Sequence, residues 1–156
     1  MAVLMLRLAA PMQSWGTDSK FEVRKTNREP TKSGVVGLLA AALGARRDQT
    51  EILRRLNKLR IAVRVDREGT LLRDFHTAKS DKTSYVTRRY YLSDAVCLVG
   101  LEDEDGEYLR SLEHALRNPA FPLFLGRRSC PPTLPLCLGM RDGSLEQALR
   151  AEPSLV

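Results

Sequence analysis

A chain of 156 residues, 43% hydrophobic and 28% charged, is long enough for one globular domain with a core of its own. Its three cysteines, Cys97, Cys130 and Cys137, are odd in number and lack C-x-x-C spacing. That argues against a disulfide framework and a zinc site, and for a reducing, cytoplasmic compartment. The net charge of +6 is unevenly placed: residues 20–90 carry 18 Lys and Arg against 8 Asp and Glu, and residues 91–156 carry 6 against 10.

A basic half facing a polyanion accounts for that division. RNA, DNA and a membrane surface all qualify, but no amphipathic basic helix stands out, which counts against the membrane. The apolar start, Met1 to Met12, imitates a signal peptide. Arg7 interrupts the run instead of preceding it, and the run is too short to span a bilayer. Val3 to Ala9 therefore reads as a buried first strand, ended by Pro11. M-Q-S-W-G follows as a turn, in which Trp15, the only tryptophan, is better suited to anchoring the core than to stacking a base. The segment 17–29 has no clear periodicity but carries Lys20, Arg24, Lys25 and Arg28, either a solvated basic loop or a clamp on a nucleic-acid backbone.

The next stretch, E-P-T-K-S-G-V-V-G-L-L-A-A-A-L-G at 29–44, reads as the central helix. Thr31 or Ser33 suits the N-cap, and Gly44 a left-handed C-cap. The helix is apolar on nearly every side, so it belongs inside. Each interior glycine costs roughly 1 kcal/mol against alanine, so Gly34 and Gly37 suggest that another backbone approaches closely. Its amino end combines free N–H groups with Lys32 and Ser33, a plausible phosphate seat beside the plainer reading of an ordinary capped helix.

A second, short helix follows, with Asp48 and Glu51 at capping-box spacing. Arg60 to Asp66 alternates like a half-buried strand, and Thr70 to Phe75 returns after a turn. Residues 76–89 read as a polar, basic loop holding His76, Lys79, Lys82, Arg88 and Arg89. Tyr90 to Leu101 is the next strand, 108–118 an amphipathic helix ended by Pro119, and the prolines of 121–133 make a rigid, extended segment. Leu134 to Leu138 is the candidate last strand, and Ser144 caps a final short helix, Leu145 to Ala151. The order strand, helix, strand, strand, helix, strand is that of an α+β, ferredoxin-like (RRM-like, βαββαβ) domain. This fold hosts many functions, among them RNA binders that read bases from the sheet face.

Few catalytic constellations survive inspection. His76 and His114 are the only histidines, without metal-ligand spacing. No G-x-x-x-x-G-K-[ST] loop occurs, and no local hydrolase motif. A metal-independent ribonuclease is the catalytic reading that remains, with His76, Lys79, Lys82 and Tyr85 in one loop as base, acid and charge stabiliser. L-G-R-R-S-C-P-P at 125–132 is the most pointed polar motif: Gly126 permits close backbone approach, and Arg127 and Arg128 present two forks suited to phosphates.

Six collinear stretches carry a resemblance: 6–16, 30–44, 62–66 (A-V-R-V-D), 74–77 (D-F-H-T), 91–95 (Y-L-S-D-A) and 125–132. Together they resemble the CRISPR-associated RAMP family, in particular its Cas-five branch from type I-E Cascade. The resemblance implies a single RAMP domain over 1–156 with a thumb at 76–89. It implies a non-catalytic subunit, without a cofactor, that holds the 5′ handle of the crRNA in antiviral defence. The partners implied are the crRNA, the backbone subunit CasC and the large subunit CasA, with target DNA reached only through the guide and no membrane. The RNA-binding set is Gln13, Arg24, Lys25, Arg28, Lys32, Ser33, Arg46, His76, Lys79, Arg127 and Arg128. Type I-C relatives cut repeat RNA themselves, so handle-generating endoribonuclease is the alternative. Relatives usually continue after residue 151 with further strands, which leaves a compact member and the amino-terminal part of a longer chain both open.

Overall fold

The computed structural model describes the backbone of residues 1–16, 23–24, 26–46, 48–79, 84–127 and 129–156, and the side chains of these except 23–24, 74–79 and 84–88. The strands are β1 (Ala2–Ala9), β2 (Met12–Gln13), β3 (Val23–Arg24), β4 (Arg60–Arg67), β5 (Thr70–Lys79), β6 (Ser84–Ser93), β7 (Val96–Asp103) and β8 (Cys137–Asp142). The helices are α1 (Lys32–Leu43), α2 (Thr50–Asn57), α3 (Gly106–Arg117) and α4 (Leu145–Ala151).

Four strands form an antiparallel sheet in the order β4-β7-β1-β8. With α1 between β1 and β4, and α3 between β7 and β8, this is the ferredoxin-like arrangement expected of the sequence. Strand β1 shows how alternation builds it. Leu4, Leu6 and Leu8 enter the main core with α1 and α3, whereas Val3 and Met5 face the other side and pack with Leu145, Ala148 and Leu149 of α4. Both faces of the sheet are thus covered. The outer face, which RRM-type proteins leave open for bases, lies under α4, and Gly100 of β7 makes room for it: a Cβ there would lie 2.7 Å from Leu145 Cδ1.

Helix α1 begins as expected, with the Thr31 hydroxyl accepting from Gly34 N–H at 3.1 Å, and ends at Gly44 in the left-handed region (φ 75°). The close approach at Gly34 is not another backbone. A Cβ there would lie 2.6 Å from Trp15 Cε3, so the glycine makes room for the indole, while Gly37 faces open space. Helix α2 lacks the expected capping box. Its N-cap is Gln49, whose side-chain oxygen instead accepts from Arg46 N–H at 2.6 Å.

Two differences concern strands. The last strand begins at Cys137 instead of Leu134. The described parts of the expected loop, 76–79 and 84–89, are strand: they belong to β5 and β6, a long antiparallel pair inserted between β4 and β7 and running from Thr70↔Ser93 to Lys79↔Ser84, while 80–83 lie outside the described residues. Strand β7 accordingly starts at Val96, and Tyr90 belongs to β6. On its other side β6 takes β2 antiparallel (Gln13↔Leu92) and β3 parallel (Arg24↔Arg89). Among the described residues, no helix is long and apolar enough to cross a membrane.

Candidate nucleic-acid interface

The segment Gln13–Gly16 is where the basic elements meet. Gln13 is fully buried, its Nε2 donating to Leu8 O (3.1 Å) and Ala95 O (2.8 Å) and its Oε1 accepting from Trp15 Nε1 (3.0 Å). Ser14 Oγ donates to Tyr90 O (3.2 Å), which ties the turn to the base of the hairpin. Trp15, buried as an anchor of the core, accepts through its carbonyl from Asn27 N–H (2.7 Å) and donates its own N–H to Thr26 Oγ1 (2.7 Å). Asn27 Nδ2 adds a bond to Gly16 O at 2.8 Å. The end of the basic segment 24–28 is therefore fixed against the tryptophan.

The motif L-G-R-R-S-C-P-P docks on the same turn. Ser14 N–H donates to Leu125 O (3.0 Å), and the loop closes on itself through Leu125 N–H to Cys130 O (2.7 Å) and Cys130 N–H to Arg127 O (2.9 Å). Gly126 is the contact point, at φ 96°, where a Cβ would sit 1.4 Å from Ser14 O. Only glycine combines that backbone conformation with that approach. Beyond it, Arg127 lays its guanidinium over the Tyr91 ring, 4.9 Å from the centroid, a cation–π contact that fixes the fork. Tyr91 and Arg89 fall on one side of β6 by alternation, and Arg89 is the register partner of Arg24.

The sequence candidates thus separate. Arg24, by its backbone, and Arg127 lie along one strand, β6. Arg28 is exposed nearby and donates to Gly69 O at 3.4 Å, in the turn that opens the hairpin. Lys32 and Ser33 are exposed at the amino end of α1, above Trp15, with Lys32 Nζ donating to Asn57 O at 2.8 Å. Arg46 lies past the far end of the 12-residue α1, on the order of 18 Å along the axis from Lys32, and is not part of this group. Gln13 departs from the expectation of a direct contact: it is sealed inside with both amide atoms engaged, tying Trp15 to Leu8 and Ala95. Lys25, Arg128 and the side chains of Arg24, His76 and Lys79 lie outside the described residues. Tyr91 escaped sequence reasoning because its partner is 36 positions away and only the docked loop brings Arg127 over it.

Away from the Gln13 turn and the Arg127 loop, several arginines are neutralised by carboxylates. Arg55 makes a bidentate pair with Asp103 (3.2 and 2.6 Å) and stacks on Tyr108 at 3.8 Å. Arg64 pairs with Asp66, and Arg141 with Glu152. Hydrogen bonds from these guanidinium groups hold Asp103, Asp66 and Glu152 below the usual carboxylate range. Burial pushes the Cys97 thiol up to about 11, so it is a packing residue and not a nucleophile. Among the described residues, no three His, Cys, Asp or Glu side chains are grouped to hold a metal ion.

A docked basic loop beside a hairpin on a ferredoxin-like core invites comparison with known proteins. The sequence model described as CRISPR-associated protein (Cas_Cas5) matches residues 3–156. The chain belongs to this family. Among Cas5 relatives, the CRISPR system Cascade subunit CasD of Escherichia coli (strain K12) is 40% identical over 161 residues, covering 90% of this chain and 72% of that protein. A structure described as a Cas protein shares 48% identity at a TM-score of 0.76, over 99% of this chain and 72% of that one. A chain of a CRISPR RNA-guided surveillance complex shares 37% identity at a TM-score of 0.83, over 94% of this chain and 66% of that one. Within the matched region, the stretches 6–16 and 125–132 meet in one contact, Ser14 against Gly126.

Proposed function

We propose that this chain is the crRNA-binding subunit of a Cascade surveillance complex, and that it holds the 5′ handle without cutting it. The observation that carries this is the convergence of the segment around Arg24–Arg28 and the Arg127 loop on β6, in a chain similar to Cascade CasD. Phosphate contacts position a nucleic acid more than they specify its bases, and a line of guanidinium groups on a rigid turn is suited to that. The hairpin β5–β6 serves as the thumb, laid against the guide and the neighbouring backbone subunit CasC. The large subunit CasA adjoins on the handle side, and target DNA is met only through the guide. His114, the one histidine whose side chain is described, is exposed on α3, apart from the β6 group. That leaves His76 as the residue on which a cleaving alternative depends.

Incubation of the purified protein with its repeat RNA in EDTA separates the two readings. Retention of intact RNA supports holding, whereas defined cleavage that is lost on His76→Ala assigns the endoribonuclease instead. Neutralising Arg127 and Arg128 together is expected to weaken handle binding and to reduce the salt slope by roughly one to two units. An unchanged slope removes the Arg127 loop from the RNA site.

A further inference from the structure

Arg7, which interrupts the apolar first strand, belongs to none of the contacts described so far. By alternation it follows Val3 and Met5 on the outer face of the sheet, but at the end of β1 beyond the residues that pack with α4. Arg67 of β4 stands opposite Val96 on the neighbouring strand, after a bulge at Val65–Arg67. Both arginines line a small open pocket of about 160 Å³, together with Pro11, Asp94, Val96 and Thr133.

The chemistry of this pocket favours an anion. A guanidinium carries five N–H donors. Arg7 donates one to Thr133 O, at a long 3.4 Å, and Arg67 is exposed with no side-chain bond to a described residue. The nearby Arg64 and Asp66 neutralise each other. Asp94 has a conformational reason to be there: it sits at φ 60°, which Asp and Asn adopt more readily than most residues, and donates its N–H to Pro11 O at 3.1 Å. The pocket is smaller than the roughly 300–1,000 Å³ of small-molecule sites, so it suits one group of a longer ligand. It also continues the basic line. Arg28 reaches Gly69 O at 3.4 Å, two residues beyond Arg67, and Gly69 packs on Ala95 at the hairpin root.

We propose that Arg7 and Arg67 form a second phosphate seat, which takes a backbone phosphodiester of the bound RNA at the hairpin root, where the end of β1 extends beyond the residues that α4 covers. This rests on the crRNA-binding reading above and adds a binding position to it. The test titrates the purified chain with a crRNA carrying its handle, at three salt concentrations, for wild type, Arg7→Gln, Arg67→Gln and Asp94→Asn. Each arginine variant is expected to bind several-fold more weakly, with a salt slope lower by about one. Asp94→Asn, which keeps the turn and removes a negative charge, is expected to bind more tightly. Wild-type affinity and slope in both arginine variants would overturn the seat while leaving the functional reading intact. So would unchanged RNA binding with weakened assembly with a neighbouring subunit, since that assigns the pocket to a protein carboxylate. A wild-type chain that binds no handle RNA would overturn both.

Discussion

Replacing Gln13 by leucine tests whether the turn is held as the geometry indicates. The substitution nearly conserves volume and removes three hydrogen bonds from a fully buried position. Trp15 Nε1 loses its acceptor inside the core, and the Leu8 and Ala95 carbonyls lose a donor. An unsatisfied buried polar group costs about 1–3 kcal/mol. The indole N–H bears its full share, while the carbonyls lie at ladder ends where their loss is partial, so the total is about 3–5 kcal/mol. At roughly 2–4 °C per kcal/mol for a domain of this size, the melting midpoint falls by on the order of 10 °C. Thermal unfolding followed by circular dichroism and by the fluorescence of the single tryptophan reads this directly. A double-mutant cycle with Trp15→Phe isolates the amide–indole bond and is expected to give a coupling of at least about 0.5 kcal/mol. A Gln13→Leu protein melting within 2 °C of wild type, or a cycle without coupling, refutes the buried link.

Two further outcomes follow from the surface. Lys32 is exposed and makes one bond, to Asn57 O, so Lys32→Ala is expected to change stability by less than about 0.5 kcal/mol. It is also expected to lower handle affinity with a salt slope reduced by about one, and superimposable titrations at several salt concentrations would remove Lys32 from the interface. Asp66, Asp103 and Glu152 have folded-state pKa values below their unfolded ones. The unfolded chain therefore binds more protons at acid pH, and the stability these pairs add is complete above the unfolded carboxylate range of about 4 and lost as pH falls through the folded values. Urea midpoints should fall from pH 5 to pH 2.5, and Asp66→Asn should flatten that dependence. A midpoint that stays constant over this range contradicts the assignment.

The sequence was informative where a segment carries its own boundary chemistry. Thr31 and Gly44 bracket α1, Ser144 with Gln147 forms the box that starts α4, and the leucines of β1 alternate. The hairpin was hidden for a physical reason. In the described part of β5 the two adjacent residues Leu71 and Leu72 are both 44% exposed, so the strand lacks the period-two burial that marks a half-buried strand. The one available signal was the β-propensity of Tyr85, Val86 and Thr87. At the interface the residue types were legible, but the backbone contact that docks the Arg127 loop was not. Gly126 against Ser14 spans 112 positions, and no local pattern encodes such a contact. Gln13 shows the converse. A polar residue inside a recognisable motif reads as a contact, whereas its amide is the internal tie of the turn.

The covered outer face of the sheet separates this molecule from an RRM-type reader, and two glycines test how it is covered. A Cβ on Gly100 would meet Leu145 Cδ1 at 2.7 Å, Val3 Cγ1 at 3.3 Å and Leu149 Cδ2 at 3.4 Å. Leu145 is 4% exposed, and its N–H donates to the buried Glu102 Oε2 at 2.7 Å, so it has little freedom to withdraw. The carbonyls of Leu149, Glu152 and Pro153 are held by Arg64, and Glu152 by Arg141. Gly100→Ala therefore forces α4 against several fixed points and is expected to cost about 1–3 kcal/mol, the range for overpacking. Gly37→Ala adds the same methyl group on the exposed side of α1, where nothing lies within 4 Å. It is expected to stabilise by roughly 0.5–1 kcal/mol. Amide exchange distinguishes the two further: Gly100→Ala should lose protection in α4 while α1 keeps it, because the strain falls on the outer layer alone. RNA affinity per folded molecule should not rise, since lifting α4 uncovers Val3, Met5 and Leu98, an apolar surface with no base-stacking aromatic. A Gly100→Ala protein with wild-type stability and unchanged α4 protection would show that the layer yields freely. Tighter RNA binding in that variant would mean that α4 masks a nucleic-acid surface and is not simply the second wall of the core.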